Sequence, residues 1–250
     1  MDSILTISNS STEDLCRFFP SLEEKVRVMP LGGEHLRRLS TEQVHTGQPE
    51  LQGELHESVR GQDFCLFVGG RYAYKNFACV VEALSLPTWP SDLRLVVVGP
   101  PFDGAERAFI KAMAADKKIV HVGKVNDDVL SVYYRSAKCF IFPSLIEGFG
   151  IPILEAQTFG VVPVISDTPV FHEVAGEGAI FFNPSSPNEL ANAVKSVLVL
   201  EIRTRTIQAA EKNLSRFSWD RAASITMQCY EDLWARNGSN HGNSVAFGTS

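Results

Sequence analysis

Two glutamates stand eight positions apart in PSLIEGFGIPILEAQTFG, residues 143–160. Glu147 precedes a Gly148-Phe149-Gly150 turn, and Glu155 lies beyond Ile151 and Pro152 in an apolar run. Proline suits the first turn of a helix, where its missing N–H costs nothing, and Gly160 suits the end. The glycine turn therefore feeds a helix N-terminus, whose free N–H groups and positive dipole end make an anion site. Glycine also lets backbone come close to a ligand. A carboxylate one turn inside an apolar helix needs partners. Two neighbouring hydroxyls would supply them, because a carboxylate accepts two such bonds side by side. Upstream, LFVGGRYAYKNFACVVEAL places Arg71 and Lys75 just past Gly69 and Gly70. Arg offers phosphate oxygens a planar fork, and Lys a point charge. Each feature alone has an ordinary explanation: a solvated helix glutamate, a common turn, two surface cations. Their combination after apolar strand runs is what sets them apart.

Such groups need a scaffold that brings them together. From about residue 63, DFCLFVGG, LRLVVVG, KIVHVG, KCFIFPS, VVPVI and GAIFFNP read as buried strands. YKNFACVVEAL, GAERAFIKAMAA and SPNELANAVKSVL have helical spacing, as does NDDVLSVYYRSA, capped by Asn126 or Asp127. Continuous apolar strands alternating with helices predict an α/β fold: a Rossmann-like parallel sheet with helices on both faces. Ligands in such sheets bind at the carboxyl ends of the strands. Residues 63–216 form this domain. Residues 1–36 read as a strand, a capped helix and a short strand; 37–62 as a linker or loop; 217–236 as an amphipathic helix with Ser218 as N-cap; and 237–250 as a disordered polar tail.

Composition narrows the function. A net charge of −6 excludes general nucleic-acid binding. The five cysteines show no metal spacing, and their odd number fits a reducing cytosol. No apolar run reaches the roughly 18 residues needed to span a bilayer. A cytoplasmic protein is expected, with a peripheral position at a membrane surface left open. There is no D-x-D pair or His/Cys cluster, so no metal is expected. Without a complete G-x-G-x-x-G, a nicotinamide cofactor is not expected either. His121 is read as pointing into the structure.

FPSLIEGFGIPILEAQTFGVVPVISD resembles the E-x7-E motif of retaining GT-B glycosyltransferases, glycosyltransferase family four in particular. The resemblance covers about residues 2–236. It implies that Glu147 contacts the donor sugar of a nucleotide-sugar, that Gly148, Phe149, Gly150 and Ile151 hold sugar and diphosphate, and that Glu155 holds the ribose hydroxyls. LFVGGRYAYKNFACVVEAL is similar to the family's diphosphate-binding block, which assigns Arg71 and Lys75 to the diphosphate beside Gly69 and Gly70. With Glu147, these cations are the catalytic candidates, since charge on the leaving diphosphate is stabilised by fixed cations. IVHVGKVNDDVLSVYYRSAKCFIFPS resembles the nucleobase loop, giving Gly123, Lys124 and Val125. RYAYKNF is similar to segments of mannosyltransferases acting on surface polysaccharides, which makes GDP-mannose the preferred donor and leaves base and sugar open.

The resemblance also implies a shortfall. A GT-B enzyme has two Rossmann-like domains, and residues 1–36 resemble only the last strand and helix of the acceptor domain. Those residues are expected to dock on a partner polypeptide or a second copy, or to fold back. The acceptor stays unassigned, and the chain alone is expected not to glycosylate one. The competing readings are a nucleotide-sugar-binding subunit without transferase activity and a GT-B-fold nucleotide-sugar epimerase. The E-x7-E pair speaks against the latter.

Overall fold

Strands β3 (Phe64–Val68), β4 (Arg94–Val98), β5 (Ile119–Gly123), β6 (Cys139–Phe142), β7 (Val162–Ser166) and β8 (Ile180–Phe182) form one sheet. All are parallel, in the order β5-β4-β3-β6-β7-β8. The computed structural model describes residues 3–33 and 55–241, with side chains to residue 235. Alternate strand residues point to opposite faces. Phe64, Leu66, Val96, Val98, Phe140 and Ile165 enter one core cluster; Cys65, Phe67, Leu95, Val97, Cys139 and Ile141 enter the other. Helices α4 (Asp127–Ser136), α5 (Ile151–Thr158) and α6 (Pro169–Ala175) cover the first face. Helices α2 (Phe77–Leu84), α3 (Gly104–Ala112) and α7 (Pro187–Val197) cover the second. The expected Rossmann-like sheet, covered on both faces, is what the sequence forms.

The chain starts at the central β3, runs outward through β4 and β5, then returns to β6 beside β3. The winding direction reverses between β3 and β6, which opens a crevice at their carboxyl ends. Gly69 to Lys75 follow β3, and Pro143 to Gly150 follow β6.

Some boundaries differ from the sequence expectation. Helix α2 starts at Phe77, because Ala73–Lys75 form a 3-10 turn and Asn76 adopts left-handed backbone at φ 52. Of the two cap candidates, Asn126 is the one used: its Oδ1 accepts from the Val129 N–H at 2.9 Å. Helix α8 (Leu200–Leu214) was not anticipated; LEIRTRTIQAAEKNL carries polar and β-branched residues that blur its apolar stripe. Helix α9 (Trp219–His241) continues through residues 237–241, which the sequence reading gave to the tail. Ser218 caps it, its Oγ accepting from the Arg221 N–H. Residues 242–250 lie outside the described residues, as do 37–54 of the linker. Its remainder is ordered by a buried Leu55 and a 3-10 turn at Glu57–Val59.

Strands β1 (Ile4–Thr6) and β2 (Val26–Val28) form a separate parallel pair, with α1 (Asn9–Phe18) between them in sequence. This segment is folded back onto the domain. Glu173 of α6 caps α1, accepting from the N–H groups of Asn9 at 2.8 Å and Ser10 at 3.1 Å. Helix α9 reaches β2 through an Arg27–Asp232 pair at 2.6 Å. A Cβ on Gly33 would lie 2.3 Å from Leu154 Cβ, so the chain passes directly over α5. Phe18 and Phe19 remain exposed. No helix among the described residues is long and apolar enough to cross a membrane.

Candidate functional site

Lys75 Nζ donates to Glu147 Oε1 at 2.6 Å, joining the loop after β3 to the loop after β6. The same loops are tied by a bond from the Leu145 N–H to the Tyr74 carbonyl at 2.8 Å. Lys75 Nζ also lies 5.1 Å from the centroid of the Phe142 ring. The pair thus sits at the carboxyl edge where two neighbouring strands meet. Both side chains are largely but not fully covered, 20% and 17% exposed, so a ligand can still reach them.

The glycine turn lies next to Glu147. Gly150 takes φ 106, a conformation glycine alone adopts readily, and Pro152 occupies the first turn of α5 as expected. Gly160, at φ 68, follows the helix end. Among the described residues, the N–H groups of Gly148, Phe149 and Gly150 donate to no protein acceptor. The Gly148 carbonyl accepts from Ser8 Oγ at 2.8 Å and Ser11 Oγ at 3.1 Å, so α1 holds the outer side of the turn. Phe149 is buried edge-on against Phe217, centroids 5.7 Å apart, which anchors the turn from below.

Glu155 is buried one turn into α5 and accepts from Tyr134 Oη at 2.9 Å. Tyr134 is wholly buried; burial, and then the nearby Glu155 carboxylate, push its phenol well above the usual tyrosine range. The phenol therefore stays protonated and donates to Glu155.

Arg71 does not join this cluster of side chains. It turns away to Glu106 of α3, with Nε 2.7 Å from Oε1 and Nη2 3.2 Å from Oε2, and Nη2 also meets the Pro101 carbonyl at 3.0 Å. Its side chain is 3% exposed, and its guanidinium carbon lies 4.4 Å from the Phe102 ring centroid. Nη1 is buried without a protein partner. Gly69 and Gly70 form the start of this loop. A Cβ on Gly99 would meet the Gly69 carbonyl oxygen at 2.3 Å, so the ends of β3 and β4 pass backbone to backbone. Gly123, at φ 77, ends β5, with Lys124 exposed and Val125 packed on the core. The Nε2–H of His121 donates to the carbonyls of Gly99 and Pro100 at 3.1 and 3.0 Å, so the ring does point inward.

The sequence model for glycosyl transferases group 1 matches residues 54–213. The chain belongs to that family. An uncharacterized glycosyltransferase of Methanocaldococcus jannaschii is 29% identical over 242 residues, 91% of this chain and 59% of the relative. O-antigen chain mannosyltransferase B of Escherichia coli is 25% identical over 237 residues, 92% of this chain and 60% of the relative. Sucrose-phosphate synthase of Thermosynechococcus elongatus has the same fold, at a TM-score of 0.75 and 23% identity over 94% of this chain and 59% of its own. The described fold is one half of the GT-B architecture, and the chain spans about 60% of these proteins.

In this member of the family, several residues at the edge are not legible in the sequence. Glu106 could have been found from its spacing: Asp103 caps α3, and Glu106 returns the bond in a capping box while holding Arg71. Tyr134 carries no local signal, since it meets Glu155 only across the fold. Ser8, Ser11 and Glu173 are likewise visible only in three dimensions. The buried hydroxyls of Ser144, at the end of β6, and Ser166, at the end of β7, have no protein partner either.

Proposed function

We propose that this chain carries the donor half of a retaining glycosyltransferase of family four, taking a nucleotide-sugar as donor. The observation that carries the proposal is the Lys75–Glu147 pair, 2.6 Å apart, beside the open N–H groups of the 148–150 turn. Cleavage of the bond between the anomeric carbon and the phosphate oxygen leaves negative charge on the diphosphate. The Lys75 ammonium, the turn N–H groups and the positive end of α5 face that charge and stabilise it. Glu147 then turns to sugar hydroxyls, and Glu155 to the ribose hydroxyls, steadied by Tyr134. Arg71 stiffens the β3 loop through Glu106, and a phosphate would meet its buried Nη1 only after that loop shifts. Gly123 to Val125 receive the base through backbone. The cations and dipoles do this work without a resident metal ion. Among the described residues, no cluster of three or more metal-binding side chains occurs.

The name of the mannosyltransferase relative supports mannose as the sugar, and GDP is the carrier this reading assigns to it. A complementary acceptor domain completes the reaction. Calorimetric titration of a nucleotide-sugar panel, in chelator, tests the proposal. GDP-mannose is expected to bind best. Glu155→Ala should weaken GDP by about 1–3 kcal/mol, the range for lost bonds to a charged group, and leave a 2′,3′-dideoxy analogue unaffected. Equal losses for both would remove Glu155 from the ribose.

A further inference from the structure

Two exposed tyrosines stand just before Lys75 in the chain. Tyr72 and Tyr74 lie on the turn that carries Lys75, with ring planes 11° apart and centroids separated by 6.0 Å. Both stand in solvent, 69% and 43% exposed, although folding normally hides so much aromatic surface. Their placement is built rather than loose. The Tyr72 ring lies over Gly70, where a Cβ would sit 2.9 Å from Cε2, so any larger residue would push the ring away. The Tyr74 carbonyl is bonded by Leu145, next to the Glu147 loop. Lys75 Nζ, 2.6 Å from Glu147, is 5.3 Å from the Tyr74 centroid. The Tyr74 ring therefore shares Lys75 as a neighbour with the Glu147 carboxylate, and Tyr72 continues the aromatic surface outward from it.

We propose that Tyr72 and Tyr74 form a platform on which a pyranose ring of the acceptor stacks, beside the donor's anomeric carbon. This inference rests on the transferase reading given above. A pyranose presents apolar C–H groups on one face and hydroxyls around its rim. The negative face of an aromatic ring attracts those C–H groups, and the tyrosine hydroxyls remain available to the rim. Two open, near-parallel rings suit a flat sugar better than an alkyl chain, which calls for an enclosed groove. Exposed Leu145 and Ile146 extend the apolar surface on the opposite loop.

Saturation-transfer NMR tests the platform, with linear α-linked mannotetraose as probe and GDP titrated separately. The wild type should bind the tetraose with a Kd in the millimolar range. Tyr72→Ala/Tyr74→Ala should weaken that binding about tenfold, the effect of losing two ring contacts. The corresponding double Phe variant should retain most of it, because the ring face does the holding. The melting temperature should stay near the wild-type value in both. Undiminished tetraose binding by the Ala variant would overturn the platform, as would no binding by the wild type at about 20 mM, well above a millimolar Kd. Failure of GDP to bind in the same samples counts against the donor reading and is scored separately.

Discussion

Lys75 Nζ and Glu147 Oε1 meet at 2.6 Å across the loops that follow adjacent strands. On the proposed reading, a diphosphate has to compete with Glu147 for the lysine, whereas a complete nucleotide-sugar gives the released carboxylate hydroxyl partners. Partly exposed pairs of this kind are worth up to about 1 kcal/mol. Glu147→Gln keeps the shape and removes the competitor. GDP alone should bind the variant a few-fold more tightly, while GDP-mannose should bind it more weakly than it binds the wild type. Calorimetry on both ligands reads the two effects, and a parallel loss for both would show that no exchange takes place.

Removing Glu106 should strike stability first. Arg71 is almost fully buried and has that carboxylate as its ionic partner. A buried charge left without its partner costs about 3–5 kcal/mol; Glu106 is 22% exposed, which places Glu106→Gln near the lower end. Replacing both residues with leucine should recover much of the loss, since well-packed apolar side chains often match a buried pair. Urea unfolding of the two variants checks this. A double variant no more stable than Glu106→Gln would show that the loop needs the charge itself.

Alkaline pH should destabilise the fold through groups the core keeps protonated. Burial, then Glu82, push Cys79 from 9.0 up to about 12, and Tyr134 is raised well above 10.0. A folded-state pKa above the unfolded value means that the native state holds the proton more tightly. This stability is therefore complete below about pH 9 and falls as pH rises from there towards 12. Tyr134→Phe should flatten the part of the decline above pH 10. It should also cost about 1–3 kcal/mol at neutral pH, because buried Glu155 loses a donor. Thermal melts of both proteins from pH 7 to pH 11 give the comparison.

Much of the fold was legible because a parallel sheet buried on both faces writes itself as apolar runs, such as FCLFV and CFIF, separated by helical patterns. The glycine turn, Pro152 and Gly160 were legible because backbone sterics leave few other residues for those positions. Helix α8 was hidden by its weak apolar stripe. In the site, the Lys75–Glu147 meeting follows from strand order, since the two loops leave neighbouring strands. The pairing of Arg71 with Glu106 was not legible, because the capping-box spacing places Glu106 at the start of α3 while the packing of α3 decides which cation it meets. The grip of Ser8 and Ser11 on Gly148 depends on a segment more than a hundred residues away folding back.

The most direct test of where the diphosphate sits is an experimental structure of the chain with GDP bound in the presence of chelator. The β-phosphate is expected at hydrogen-bond distance, about 3 Å, from Lys75 Nζ and from N–H groups of the 148–150 turn, with the ribose hydroxyls on Glu155. Lys75 should have left Glu147. A diphosphate found elsewhere, with the Lys75–Glu147 pair intact at 2.6 Å, would contradict this assignment of the donor site.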